Sequence, residues 1–291
     1  MSTYYAQTDT PGLRGRNDSY RARFDFATDR FGLAAEELLV GEHFAPEVGF
    51  VRRTDFSEQF AQGRFSIRPR KSAVVRKLSW IAGVDYITDA DRTVVEDRQA
   101  RGQFTIEFQN GDQSSFEHSV DYELLQEAFR IAPGVVVPAG GYDSRTTRVS
   151  YNLGQQRRIN GRVSAATGTF YDGTKTEVGY SGRMSAAWIP RFVLEPSVAL
   201  NWVELPYGEF NATAISTRFI VTPTPRMLLS SLVQYNALAH SLGSSVRLRW
   251  EYTPGSELFV VYSDGRDTAV RGVPAVLNRS FALKVTKLFR F

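Results

Sequence analysis

Apolar and polar residues alternate with a period of two along almost the whole chain. Between 243 and 253, Val246, Leu248, Trp250 and Tyr252 fall on one lane, and Arg247, Arg249 and Glu251 fall on the other. This is the pattern of a strand whose two faces meet different surroundings. The division recurs with Val178, Tyr180, Met184, Ala186 and Trp188 against Glu177, Ser181, Arg183 and Ser185. It recurs again with Leu194, Val198, Leu200 and Trp202 against Glu195, Ser197 and Asn201, and with Phe104, Ile106 and Phe108 against Gln103, Thr105 and Glu107. Only the stretch from 55 to 67 mixes charge and aromatics on one lane.

No window of useful length carries a helical period, so the pattern predicts an all-β chain. About fifteen strands are expected, at 19–27, 31–40, 55–67, 73–87, 93–109, 113–125, 145–154, 158–170, 174–189, 191–205, 209–222, 226–238, 243–253, 256–264 and 279–291. Most exceed the five or six residues usual in soluble sheets and reach the nine to eleven of a tilted strand that crosses a bilayer.

The connections sort by length. Counted back from the C-terminus, the longest, "GRDTAVRGVPAVLNR", "EAFRIAPGVVVPAGGYDS" and "GEHFAPEVGFVRRT", all fall at odd places. Outer-membrane barrels have short turns on the periplasmic side and longer loops outside. The expected fold is therefore an antiparallel transmembrane β-barrel occupying residues 1–291.

Fifteen strands is an odd number, whereas bacterial single-chain barrels have even counts. "STYYAQ", within 1–7, reads as the outer end of one more strand cut short, and the chain as the C-terminal part of a larger barrel. Phe289 and Phe291 share a lane at the expected inner rim and fit a membrane-insertion signal, while Lys287 on the same lane would have to snorkel to the interface.

Composition narrows the chemistry. The sequence of 291 residues has no cysteine, which excludes disulfides, thiolate metal sites and cysteine nucleophiles. Its net charge of +4 is spread along the chain rather than collected in a stripe, which argues against nucleic acid as a partner.

Several stretches, "HFAPEVGFVRR", "YELLQEAFRIAPG", "GTFYDG", "LVQYN", "VRLRWEYTPGSELFVVYSDGRDT" and "LFRF", carry a family likeness. They resemble the C-terminal outer-membrane barrel of the domain of unknown function 5916 family, whose members usually also carry an N-terminal domain like the family 9 carbohydrate-binding modules. The resemblance implies a bacterial outer-membrane location, with lipid and the barrel-insertion machinery as partners. It also implies an association with carbohydrate.

Candidate chemistry is sparse. His43, His118 and His240 have no ligand spacing, so no metal and no cofactor are expected. His118 beside Ser119 would face the opposite side of a strand, which defeats a catalytic pair. Glu107, Asp121, Arg183, Arg247, Arg249 and Glu251 lie on polar lanes and are expected to face a lumen, because a charge on the lipid face is costly. Glu47, Arg52 and Arg53, in a long outer loop with Phe44 and Phe50, are candidates for binding a ligand.

The reading is an outer-membrane barrel that binds or passes an unidentified small solute, a glycan or another. Two rivals stay open: a surface hydrolase using loop carboxylates, and a soluble, many-stranded binding protein whose oily lanes face a core.

Overall fold

The computed structural model describes residues 1–291 except 13, 47, 48, 52, 186–190, 271, 273, 290 and 291. In chain order the strands are β1 (Ser2–Gln7), β2 (Asp18–Ala27), β3 (Phe31–Val40), β4 (Phe56–Ile67), β5 (Val75–Thr88), β6 (Val95–Phe108), β7 (Gln113–Leu125), β8 (Phe129–Ala132) and β9 (Val135–Val137). There follow β10 (Gly140–Leu153), β11 (Ile159–Phe170), β12 (Gly173–Ser185), β13 (Phe192–Leu205), β14 (Gly208–Thr224), β15 (Met227–Asn236), β16 (Ser241–Thr253), β17 (Ser256–Asp267) and β18 (Ala275–Thr286).

Sixteen of them form one antiparallel sheet in sequence order, and β8 and β9 pair separately. The segment "STYYAQ" is the sixteenth strand, paired with β2 from Ser2 opposite Arg23 to Gln7 opposite Asp18. The chain divides into two compact units, one made of 1–149, 166–174 and 205–208, the other of 150–165, 175–204 and 209–291.

In the first unit the register carries one lane of each strand onto a common apolar face. Phe31 faces Phe65, Phe65 faces Trp80, Trp80 faces Phe104, and Phe104 faces Phe116. The first four rings stack along the sheet with centroids 5.4, 5.8 and 5.1 Å apart, within the range of favourable aromatic pairs. One step along the strands comes a file of small side chains, Gly63, Ala82 and Gly102, between Leu33 and His118. Two steps further, a file of Gln59, Tyr86, Arg98 and Tyr122 turns polar, with the Arg98 guanidinium 5.6 Å from the Tyr122 ring centre. The apolar band thus has an aromatic edge and a polar edge.

The opposite lanes form a polar face. Here β4 explains the mixed lane of 55–67: Phe60 lies opposite both Glu36 and Asp85, an aromatic ring set among carboxylates on the polar side.

The second unit repeats the arrangement. Leu229, Leu248, Val260 and Leu283 form one apolar file, and Met227, Trp250, Leu258 and Val285 another. Arg247 and Arg249 share the other face with Ser245 and Gly243. The apolar face is open in both units. Val84 is 52% exposed and Phe281 66%. Buried apolar residues sit instead near the connections, among them Leu39, Phe44, Ala90, Val135, Val137 and Tyr142.

Since neighbours in the sheet are antiparallel, alternate connections share an end. In the first unit the connections 8–17, 41–55, 89–94 and 126–139 lie at one end, and the shorter 28–30 and 109–112 at the other together with 68–74.

Two expectations need correction. The connection 126–139 is not plain loop, because Pro133 and Gly134, the glycine at φ 79°, turn β8 back on β9. The last strand spans Ala275–Thr286 rather than 279–291. Its ladder starts where Ala275 meets Asp267 and stops where Thr286 meets Glu257, which leaves Lys287–Phe289 without a strand to pair with. Lys287 places its ammonium 5.1 Å from the Phe289 ring centre. Phe289 is exposed, and Phe291 lies outside the described residues.

Candidate functional site

The connections at the long-loop end of the first unit brace one another. The Arg16 guanidinium donates to the Ala90 carbonyl and reaches Asp91 at 3.4 Å, His43 N donates to the Arg16 carbonyl at 2.9 Å, and Ala90 N donates to Asp55 Oδ1 at 3.2 Å. Of the three loop residues proposed for ligand binding, Glu47 and Arg52 lie outside the described residues. Arg53 pairs with Glu96 and stands 5.5 Å from the Phe56 ring centre. Its charge is engaged in holding the loop.

A second group at this end was not foreseen. Tyr171 donates to Glu123 at 2.7 Å and meets Tyr142 edge-on at 5.2 Å, while Tyr207 donates to Asp172 at 3.2 Å. The neighbouring Tyr142 hydroxyl, followed by burial and the Asp172 carboxylate, pushes the Tyr207 hydroxyl up to about 12. Burial and the Glu123 contact raise Tyr171 too. These phenols therefore remain neutral donors at physiological pH, and Tyr142 anchors the group by donating to the Pro138 carbonyl at 2.9 Å. The available signal was the aromatic turn "FYDG", whose Asp172 lies 35 residues before Tyr207 of "PYG".

On the polar face of the first unit several charges are paired, while Arg101 has no hydrogen bond or ion pair among the described residues and Asp85 Oδ1 is buried without a hydrogen-bond partner. Glu36 receives Arg21 at 2.5 Å and Arg23 at 2.7 Å. Asp121 receives Gln99 at 2.6 Å and Ser119 at 2.7 Å. Glu107 pairs with Arg76 at 2.9 Å. His118 lies on the apolar face with Nδ1 3.0 Å from the Thr147 hydroxyl, so His118 and Ser119 point to opposite sides as strand geometry requires.

The second unit is mixed in the same way. Arg249 is held by Glu257, and Glu251 accepts from Gly255 N at 2.9 Å. Arg183 lies on the polar lane of β12, and neither it nor Arg247 has a hydrogen bond or ion pair among the described residues. Two recesses open on this unit. One, of ≈ 400 Å³, is lined by Arg218, Ser230, Ser231, Leu232, Ser245 and Arg247. The other, of ≈ 440 Å³, includes Ser216, Gln234, Asn236, Gly243 and Asn278. Amides and hydroxyls both donate and accept, whereas guanidinium groups only donate.

No family model matches the chain, and no curated protein does. Among solved structures, the chain is similar to a mutant ferric enterobactin receptor (PfeA) from Pseudomonas aeruginosa in complex with enterobactin, at 9% identity and a TM-score of 0.43. The match covers 91% of this chain and 53% of that one, so the chain spans about half the length of the receptor.

The geometry at hand supports hydrogen bonding and charge selection. Among the described residues, no three histidine, aspartate or glutamate side chains converge on a metal position.

Proposed function

We propose that this chain is a β-barrel of the bacterial outer membrane that binds or passes a small solute, a glycan or another. One observation carries the reading: each unit exposes an apolar face with aromatic residues on it, with Trp80 40% and Phe116 48% exposed in the first, and Trp250 44% and Leu283 59% exposed in the second. A soluble protein rarely exposes so large a contiguous apolar surface, because each Å² left in water forfeits about 25 cal/mol. Lipid relieves that cost.

Strand lengths agree with the proposal. β5 and β6 have 14 residues each and β16 has 13, ample for a tilted crossing of the hydrocarbon layer. With the apolar face in lipid, the polar faces line the lumen, where Glu107, Asp121, Arg183, Arg247, Arg249 and Glu251 meet water or solute. The amide and hydroxyl recess supports the glycan-like class, and the membership suggested by the sequence resemblance agrees with it. Lipid and the barrel-insertion machinery are the partners this reading requires.

The test is expression with and without detergent, followed by reconstitution in a planar bilayer. Protein that needs detergent or lipid to remain monodisperse, and that adds discrete conductance steps or solute-dependent blocks, supports the proposal. A monodisperse folded protein in plain buffer contradicts it.

A further inference from the structure

The polar face of β14, β15 and β16 carries a graded set of side chains. At one level stand Ser216, Gln234 and Gly243 in register, at the next Arg218, Leu232 and Ser245, and at the third Ile220, Ser230 and Arg247. We propose that this face binds a hydroxylated anion, a sugar-like skeleton bearing a carboxylate or phosphate, with the acidic group between Arg218 and Arg247. The inference rests on the barrel reading and names the solute class that reading leaves open.

The donor set decides the charge. Arg247 has no hydrogen-bonding or ionic partner among the described residues. Arg218 touches Glu195 through one nitrogen at 3.5 Å and keeps most of its five N–H donors. The Ser245 hydroxyl accepts from Ser263 at 3.3 Å, which leaves its own proton to donate. No carboxylate lines the recess. A surface with two guanidinium groups and hydroxyl donors, and no acid between them, is complementary to an anion and repels a cation.

The adjoining recess decides the rest of the solute. Gln234, Asn236, Asn278 and Ser216 offer donors and acceptors together, as a ring of hydroxyls requires. Gly243 provides its floor. A Cβ built there meets nothing within 4 Å, so a larger side chain at 243 would occupy solute space without displacing protein atoms.

Binding is measured by calorimetry on the full chain in vesicles recovered by flotation, with glucuronate, glucose 6-phosphate, glucose, glucosamine and inorganic phosphate as probes. Glucuronate and glucose 6-phosphate are expected to bind about tenfold or more tighter than glucose, and glucosamine more weakly still. The carboxylate and phosphate arms tell which acid is preferred. Arg247→Ala should weaken both anions by about tenfold, the loss of a charge-assisted hydrogen bond, and Arg247→Lys should recover part of it. Gly243→Val should weaken the sugar anions but not inorganic phosphate. Equal affinity for glucose and its anions, or anion binding unchanged by Arg247→Ala, would overturn the inference while leaving the barrel intact. Protein that fails to float with the vesicles would overturn the barrel reading and this inference with it.

Discussion

Two places on the polar faces, around Glu36 and Asp121 in the first unit and around Arg247 in the second, carry similar residue types arranged to different ends. In the first unit Glu36 holds two arginines, and Asp121 takes donors from Gln99 and Ser119. In the second, Arg247 is unpartnered among the described residues and Arg218 has one contact at 3.5 Å. A charge whose hydrogen bonds are filled by neighbours is part of the scaffold, and one whose donors point into a recess is available to a solute. Between these two places the difference lies in pairing, not in charge content, and each face also holds the other kind, with Arg101 unpartnered among the described residues of the first unit and Arg249 held by Glu257 in the second.

The largest effect comes from the apolar face that each unit carries opposite its polar one. Val84 is 52% exposed, so in water Val84→Arg would change stability by no more than about 0.5 kcal/mol. In a bilayer the same change is expected to cost about 2 to 4 kcal/mol, read from denaturant unfolding in vesicles. A neutral result there would return the oily lanes to the solvent side.

Next, Glu36→Gln should destabilise the first unit by about 1 kcal/mol, a modest figure because the arginines it would leave behind reach water. Arg247→Gln should leave the unfolding midpoint within about 0.5 kcal/mol of the parent. If the two cost the same, the distinction between scaffold and solute charges fails.

The smallest effect concerns pH. The Arg68 guanidinium, 2.8 Å away, holds the Asp29 carboxyl below its ordinary value in the turn between β2 and β3. A folded value below the unfolded one means that this pair contributes above the ordinary carboxylate range and loses its contribution as pH falls through the folded value. Carboxyl NMR titration of Asp29 should show the depressed value, and Arg68→Ala should raise it. An Asp29 titration unmoved by that substitution would show the pair to be incidental.

Much of the fold was legible because a period of two survives any register. Lanes such as Val246, Leu248 and Trp250 against Arg247 and Arg249 define strand and faces before any neighbour is known. The β8–β9 hairpin was missed because β8 has four residues and β9 three, all valine, too short to show a period of two, although the proline and glycine between them, flanked by apolar residues, are a turn signal. The site was less legible. That Arg249 is taken by Glu257 while Arg247 is left free depends on which residues the register brings side by side, and 55–67 misled because Phe60 occupies a polar face. Alternation names a face, but only register names a partner.

The absence of native cysteine permits one direct measurement, a single-cysteine scan from Gly243→Cys to Tyr252→Cys in vesicles, with a water-soluble maleimide admitted to both sides. The account predicts labelling at 245, 247, 249 and 251 and protection at 246, 248 and 250, with the alternation abolished by unfolding. Uniform labelling along β16, or protection of the arginine lane, would contradict a sheet that keeps one face in lipid and the other in water.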